Sequence, residues 1–479
     1  MTNLETKILR ATKWSTITEI VAKIITPITT IVLARILAPD AFGILTTITM
    51  VIAFAEIFTD AGFQKYIIQH DFTDLEDRDK SVNVAFWSNL LMSLLIWLLI
   101  ALFSEHLASL VGNPGLGHVL IVASVSIPIA AFSSIQMALY KRDLEFKTLF
   151  KVRLIGTCVP LLVTIPLAFY LRNYWALVIG TIAGNTVNAV FLTIYSKWRP
   201  RLFYSFALLR EMFSFSALSV VEAVTIWMTG YVDVFIIGRF LNEYYLGIYK
   251  TSISIVGQLM GIITAATTPI LFSSLSRLQT DEGAFKKLFF RFQELVGLLV
   301  IPLGVGIFCY SDLLTSILLG NQWMEASHFI GIWGLSSTVT IVFSHYSSEV
   351  FRAKGRPGLS VLSQFLHLIV LCPAVMISVK YGFQTLVDVR ALVRLEGIAV
   401  NLLIMSLLIK ISPMRMIYNV LRPILASIIM GIIAFLINDL YASIIWQIAS
   451  IIMCIIVYFS IILLFPSERK LLMSLKSSL

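Results

Sequence analysis

Charged residues stand inside long apolar runs of this chain at helical spacing, and those positions are where chemistry could occur. Glu19 and Lys23 are four apart, as are Glu56 and Asp60, while Glu222 and Asp233 are separated by close to three helical turns. Lys250 opens a further apolar run, with Ser254, Gly257, Gln258 and Gly261 following on a small, polar side. His345, Glu349 and Arg352 fall at i, i+4 and i+7. Each such charge costs about 3 kcal/mol or more near a bilayer centre, so it needs a cavity or a partner. Around a cavity, the cations would receive an anionic headgroup, and the carboxylates would bind sugar hydroxyls or a coupling proton or sodium ion. Glu19, Lys23, Glu222, Asp233 and Lys250 are then the substrate-binding candidates, and Glu56, Asp60, His345 and Glu349 the ion-coupling candidates. The alternative is internal pairing: Glu19 with Lys23, a protonated Glu56 against a neighbouring helix, and Glu349 with Arg352 beside a hydrogen-bonded His345. His367, Arg394 and Glu396 are further cases of the same kind.

The elements that must position these residues follow from composition. Of 479 residues, 58% are hydrophobic and 13% charged, and the mean hydropathy is +0.89. No single soluble core can hide so much apolar surface, so lipid is the solvent. Apolar runs of about 20 residues occur near 14–36, 43–66, 82–104, 117–140, 150–171, 174–196, 214–239, 246–272, 288–310, 326–349, 358–379, 391–410, 417–437 and 441–464. The fold class is an all-α polytopic membrane protein of about 14 transmembrane helices. With both termini in the cytoplasm, about 28 of the 36 Lys and Arg take the inner side, which sets the orientation. The first run carries Glu19 and Lys23 and no convincing small-residue cleavage site, so it is expected to stay as a helix.

The chain looks doubled. Between the first two runs lies Arg35-Ile36-Leu37-Ala38-Pro39-Asp40-Ala41-Phe42-Gly43-Ile44, and between the seventh and eighth lies Arg239-Phe240-Leu241-Asn242-Glu243-Tyr244-Tyr245-Leu246-Gly247-Ile248. Arg35 and Gly43 match Arg239 and Gly247, and these four are read as structural corners of a repeated hairpin. A second match pairs the exit of the fourth run, Tyr140 to Lys147, with the exit of the tenth, Phe351 to Pro357. Both give an offset of about 204–210 residues. Two pseudo-symmetric six-helix lobes, 1–203 and 204–412, plus two additional helices and a tail in 413–479, are the organisation this implies. Parallel repeats place a substrate path between lobes. The basic, aromatic stretch Lys197 to Arg201 marks the boundary as a membrane-surface linker.

Other functions find little support. No G-x-x-x-x-G-K-[ST] stretch exists to cradle ATP phosphates, so an ion or substrate gradient must drive any transport. Asp77-Arg78-Asp79 spells a metal-binding DxD but sits in a short charged loop without a βαβ domain around it. Cys158, Cys309, Cys372 and Cys454 fall in apolar stretches without metal-ligand spacing and read as buried thiols. No metal, cofactor or catalytic residue is expected. The formal charge of +9 is spread in short clusters between spans, which argues against nucleic acid as a partner.

The hairpin Leu33 to Gly43 and the exit segment Gln136-Met137-Ala138-Leu139-Tyr140-Lys141-Arg142-Asp143-Leu144-Glu145-Phe146 resemble those of the polysaccharide-transporter (Wzx-type) family. That family of lipid-linked oligosaccharide flippases lies in the multidrug/oligosaccharidyl-lipid/polysaccharide exporter superfamily. The resemblance spans the whole chain in span number, orientation and order. It implies a bacterial inner-membrane flippase that moves an undecaprenyl-pyrophosphate-linked repeat unit to the periplasmic leaflet by alternating access. It also implies that Lys23, in the first span, meets the pyrophosphate, that the last two spans form a groove for the polyprenyl tail, and that the partners include the bilayer and the polysaccharide polymerase and export machinery. The alternatives are a cation-coupled multidrug exporter of the same superfamily, a membrane polymerase or ligase, and an assembly scaffold.

Overall fold

A computed structural model describes residues 3–60, 62–438, 440–441, 443–466 and 468–469. The side chains of 3–13, 15–16, 19–20, 60, 214–219 and 221–222 lie outside that description. The long helices are α1 Asn3–Ile36 and α2 Pro39–Asp60, then α3 Leu75–Leu102, α4 Gly117–Arg142, α5 Phe146–Leu171 and α6 Trp175–Tyr195. They continue as α7 Phe206–Phe240, α8 Glu243–Arg277 and α9 Glu282–Cys309, α10 Asn321–Ala353, α11 Gly358–Tyr381 and α12 Phe383–Leu408, and end with α13 Pro413–Asn438 and α14 Ile444–Leu463. Thirteen stretches among the described residues, all of them within α2 to α14, are long and apolar enough to cross a membrane. With α1 they reproduce the fourteen spans expected from the sequence. The protein is a multi-pass membrane protein.

Side-chain placement inverts that of a soluble bundle. On α3 the exposed stripe is Leu91, Leu94, Leu95, Leu98 and Leu102, while Ser81, Asn83, Ser88, Asn89 and Ser93 are buried. Leucine gains nothing by leaving lipid for another leucine. Small and polar side chains let helices approach closely and bond across the interface, so they go inside.

Two compact units form, Met1–Lys250 and Thr251–Leu479. Within the first, α1 packs on α5, α3 and α6 on α4, and α7 on α2. The Leu33, Leu37, Ala168 and Leu177 cluster holds the start of the bundle together. Within the second, α9 packs on α10 and α13, α11 on α12, and α14 on α13. The two last helices dock through Tyr458, whose hydroxyl donates to the Leu298 carbonyl at 2.8 Å, and through Tyr310, whose hydroxyl donates to Ser450 Oγ at 3.0 Å. Compactness divides the chain at Lys250, whereas the sequence repeat divides it near 203, because α7 packs into the first unit.

The repeated motifs do repeated structural work. A Cβ added at Gly43 would lie 1.8 Å from the Glu243 carbonyl oxygen, and one added at Gly247 would lie 1.8 Å from that of Pro39. Pro39 and Glu243 correspond in the repeat, as do the two glycines, so the starts of α2 and α8 cross backbone to backbone about a local pseudo-twofold. The same end is sealed by Gly112, whose φ of 86° and missing Cβ let it sit against the Gly238 carbonyl. Arg239 donates to the Ser109 carbonyl at 3.0 Å, capping the short helix Ser104–Leu110.

At the opposite, basic end, Arg142 donates to the carbonyls of Ile67 and His70, both at 2.7 Å, and stacks over Phe72. It thereby clasps the connection after α2, including the short helix Phe63–Gln69. In the second unit Lys354 donates to the Gln279 carbonyl at 2.8 Å and lies over Phe285, clasping the connection between α8 and α9. Each exit motif therefore latches the corresponding connection of its own repeat. Between α6 and α7, residues 197–205 are fixed rather than loose. Asn83 Oδ1 accepts from Arg201 N–H at 2.6 Å, Trp87 donates to the Arg201 carbonyl at 2.8 Å, and Arg199 donates to the carbonyls of Thr193 and Ser196 at the α6 C-terminus.

Candidate functional site

A cavity of about 440 Å³ with a mixed polar and apolar lining opens within the first unit. Its walls come from five long helices and the short helix Phe63–Gln69, and small, amide and hydroxyl side chains stand in it beside Ile57, Ile127 and Met137. α2 supplies Ala53 and Glu56, followed by Gln64 and Lys65 in the short helix; α3 supplies Asn89; α4 supplies Ser133 and Ser134; α6 supplies Asn185 and Asn188; α7 supplies Val220 and Ala223. Asn89 donates to Ser134 Oγ at 2.6 Å, so one wall is fixed by a side-chain bond across α3 and α4. On the α5 side, Gly156 leaves room for Asn188, whose Oδ1 would stand 2.5 Å from a Cβ there. Glu56 is half-buried and Lys65 exposed. Amide and hydroxyl groups offer both donors and acceptors, so the arrangement suits a hydroxyl-rich ligand. The carboxylate and the ammonium supply one charge of each sign.

Of the residues expected from sequence, Glu56 lines this cavity. Asp60 lies one turn further along α2, but its side chain, like those of Glu19 and Glu222, is outside the described residues. Lys23 is half-buried on α1, a helix packed against α5, and is not among the residues lining this cavity. Asp233 is buried at 4% exposure and accepts from the Tyr249 hydroxyl at 2.6 Å, which ties α7 to α8 within the hairpin. Lys250 holds its Nζ 4.9 Å from the Tyr231 ring and 3.4 Å from the Gly230 carbonyl.

The second unit treats its charges differently. Glu349 is buried and ion-paired with Arg352, whose guanidinium also lies over Phe272. His345 ends a π-helical turn, Ile341–His345, and its Nε2 is 3.4 Å from Thr268 Oγ1. A smaller pocket of about 230 Å³ opens between α10, α11 and α12. Of its lining residues, His367 has its Nδ1 2.9 Å from Glu396 Oε2, and Arg394 stacks 4.1 Å over Trp333 while donating to Ser337 Oγ at 2.8 Å. Asn401 donates to Ser344 Oγ at 2.8 Å on the same wall.

Sequence reasoning missed the amides. Asn89, Asn185 and Asn188 carry no charge and form no motif, but each interrupts an apolar span, and that was the signal available. Outside the membrane spans, Tyr66 donates to Glu211 Oε1 at 2.8 Å. Burial, and then the neighbouring Glu211 carboxylate, push its hydroxyl above the usual tyrosine range. Among the described residues no group of three His, Cys, Asp or Glu could hold a metal ion.

Comparison with known proteins decides the family. The model of a polysaccharide biosynthesis protein family matches residues 32–328, more than half of the chain. The chain belongs to this polysaccharide biosynthesis family. The teichuronic acid biosynthesis protein TuaB of Bacillus subtilis is 21% identical over 438 residues, covering 91% of this chain and 90% of that one. A solved structure of the lipid II flippase MurJ, in an inward closed conformation, superposes with a TM-score of 0.75 at 16% identity, covering 95% of this chain and 99% of that one. An inward-facing multidrug resistance MATE family transporter of the MOP superfamily matches with a TM-score of 0.56 at 14% identity, over 81% and 96% of the two chains. This chain therefore has the MurJ and MATE type of transporter fold.

Proposed function

We infer that this protein is a flippase. It moves an oligosaccharide repeat unit, carried on undecaprenyl pyrophosphate, from the cytoplasmic to the periplasmic leaflet of a bacterial inner membrane for surface polysaccharide assembly. The observation that carries this function is the cavity of about 440 Å³ with amides, hydroxyls, a carboxylate and an ammonium in its lining, in a polysaccharide biosynthesis family chain whose outer surface is rich in exposed leucine and isoleucine. A hydroxyl-rich glycan needs such a lining to leave water, while the polyprenyl tail can remain in lipid.

The lysine and arginine distribution supports an orientation with both termini in the cytoplasm. In that orientation the Gly43 and Gly247 crossing closes the periplasmic end, and the cavity with Lys65 lies toward the cytoplasm. The repeats 1–203 and 204–412 act as the two lobes of alternating access, and 413–479 adds the extra helix pair. Glu56 is the ion-coupling residue, and the protein acts without catalysing a covalent step.

Deletion in the producing cell tests this function. Surface glycan is expected to disappear while the lipid-linked repeat unit accumulates on the cytoplasmic leaflet, and wild-type chain is expected to restore export. Unchanged surface glycan with altered resistance to cationic drugs would contradict it.

A further inference from the structure

The α7 face that closes the cavity does not end with it. Val220 and Ala223 line the cavity, and Trp227 and Tyr231 continue the same face at helical spacing. There they meet aromatic side chains of α2. Phe58 and Phe54 have ring centroids 5.1 Å apart, Phe54 and Trp227 4.7 Å, and Trp227 and Tyr231 5.8 Å. The row ends on Lys250, whose Nζ lies 4.9 Å from the Tyr231 ring. Its central member is held in place, because Trp227 Nε1 donates to the Met50 carbonyl at 3.1 Å. The row is also accessible: Phe54 is 40% and Phe58 39% exposed.

Two observations argue against lipid chains as the intended occupant. The row grows out of the wall of a cavity that carries amides, hydroxyls, Glu56 and Lys65, and it finishes on an ammonium, which hydrocarbon disfavours. Sugar rings fit both ends. The C–H face of a pyranose packs on an aromatic ring, while its hydroxyls, held around the rim, reach donors and acceptors to the side. An aromatic face makes few demands on which sugar lies on it, so it supports a moving chain without trapping it.

We propose that Phe54, Trp227 and Tyr231, ending at Lys250, form a stacking track for the saccharide part of the substrate, leading from the cavity along α7. Resting on the flippase function inferred above, this assigns the seat of the glycan as distinct from that of the lipid carrier.

The test uses purified full-length protein in proteoliposomes with two lipids, undecaprenyl pyrophosphate bearing the repeat unit and undecaprenyl pyrophosphate alone as its competitor. Trp227→Leu keeps apolar volume and removes the ring. It is expected to raise the half-saturating concentration of the glycosylated lipid about tenfold, with little change in maximal rate, and to leave competition by the bare carrier unchanged. Trp227→Phe, which keeps a ring and loses the bond to Met50, is expected to stay near wild type. Equal losses toward both lipids would show a structural or acyl-chain role and overturn the proposal, as would wild-type behaviour of Trp227→Leu. Should wild type move neither lipid, the flippase function fails. Binding of the soluble repeat-unit oligosaccharide, read by isothermal titration calorimetry, then judges the track alone: binding lost in Trp227→Leu supports it, and equal or absent binding in both proteins overturns it.

Discussion

The latches and the pockets of this protein follow opposite rules. Arg142 and Lys354 are placed alike in the two units, each clasping the carbonyls of the connection after the second helix of its repeat. Gly43 and Gly247 are likewise interchangeable in their contact. The polar pockets share no such likeness. That of the first unit is built of asparagines and serines with Glu56 and Lys65, while that of the second is built of Arg394 on Trp333 and the His367–Glu396 pair. What duplicated is the scaffold, and what diverged is the chemistry.

The largest effect should come from breaking what is duplicated. Valine at Gly43 or Gly247 puts side-chain atoms into a partner backbone that cannot give way, costing about 3 kcal/mol or more. Thermal unfolding in detergent should show a marked and similar loss for both variants. A loss confined to one of them would break the pseudo-twofold description of the crossing.

Next come the pockets, where transport and stability should separate. Glu56→Gln and Asn188→Leu are expected to lower glycan-lipid transport by about tenfold, the effect of losing about 1.4 kcal/mol of binding. Both should lower the unfolding midpoint less than they lower transport, since both side chains line the cavity of the first unit. Glu349→Gln should do the reverse, lowering the midpoint because it leaves Arg352 without its carboxylate, and changing transport less.

Smaller effects sharpen the comparison of latches. Arg142→Met removes charge-assisted bonds to the Ile67 and His70 carbonyls and should cost about 2 kcal/mol, whereas Lys354→Met removes a single such bond and should cost about 1 kcal/mol. Arg239→Met, at an exposed helix end, should cost only about 0.5 kcal/mol. Chemical denaturation of each variant in the same detergent gives the order, and an inverted order would show that the latches are not equivalent devices.

These differences also explain what could be read in advance. Spans are legible because a membrane demands about 20 apolar residues in a row, and α2 to α14 each leave that signature. The hairpin repeat is legible because a backbone crossing admits only glycine, so Gly43 and Gly247 stand out at matching positions. Asn185 and Asn188 are not legible in that way. A single amide in an apolar run has no period, and only folding shows that Asn89, Asn188 and Glu56 converge. Asp233 illustrates the same limit, since its buried bond to Tyr249 depends on how α7 meets α8. The π turn that sets His345 has no sequence signal at all.

The central claim, that the first-unit cavity carries a lipid-linked glycan across the membrane, is tested most directly in proteoliposomes. Fluorescent undecaprenyl-pyrophosphate oligosaccharide would be placed in one leaflet and its appearance in the other followed under an imposed proton or sodium gradient, for wild type, Glu56→Gln and Asn188→Leu. Transport by wild type that falls about tenfold in both folded variants is the predicted result. Undiminished transport in both variants, or no transport by wild type with the cognate glycan under either gradient, would contradict it.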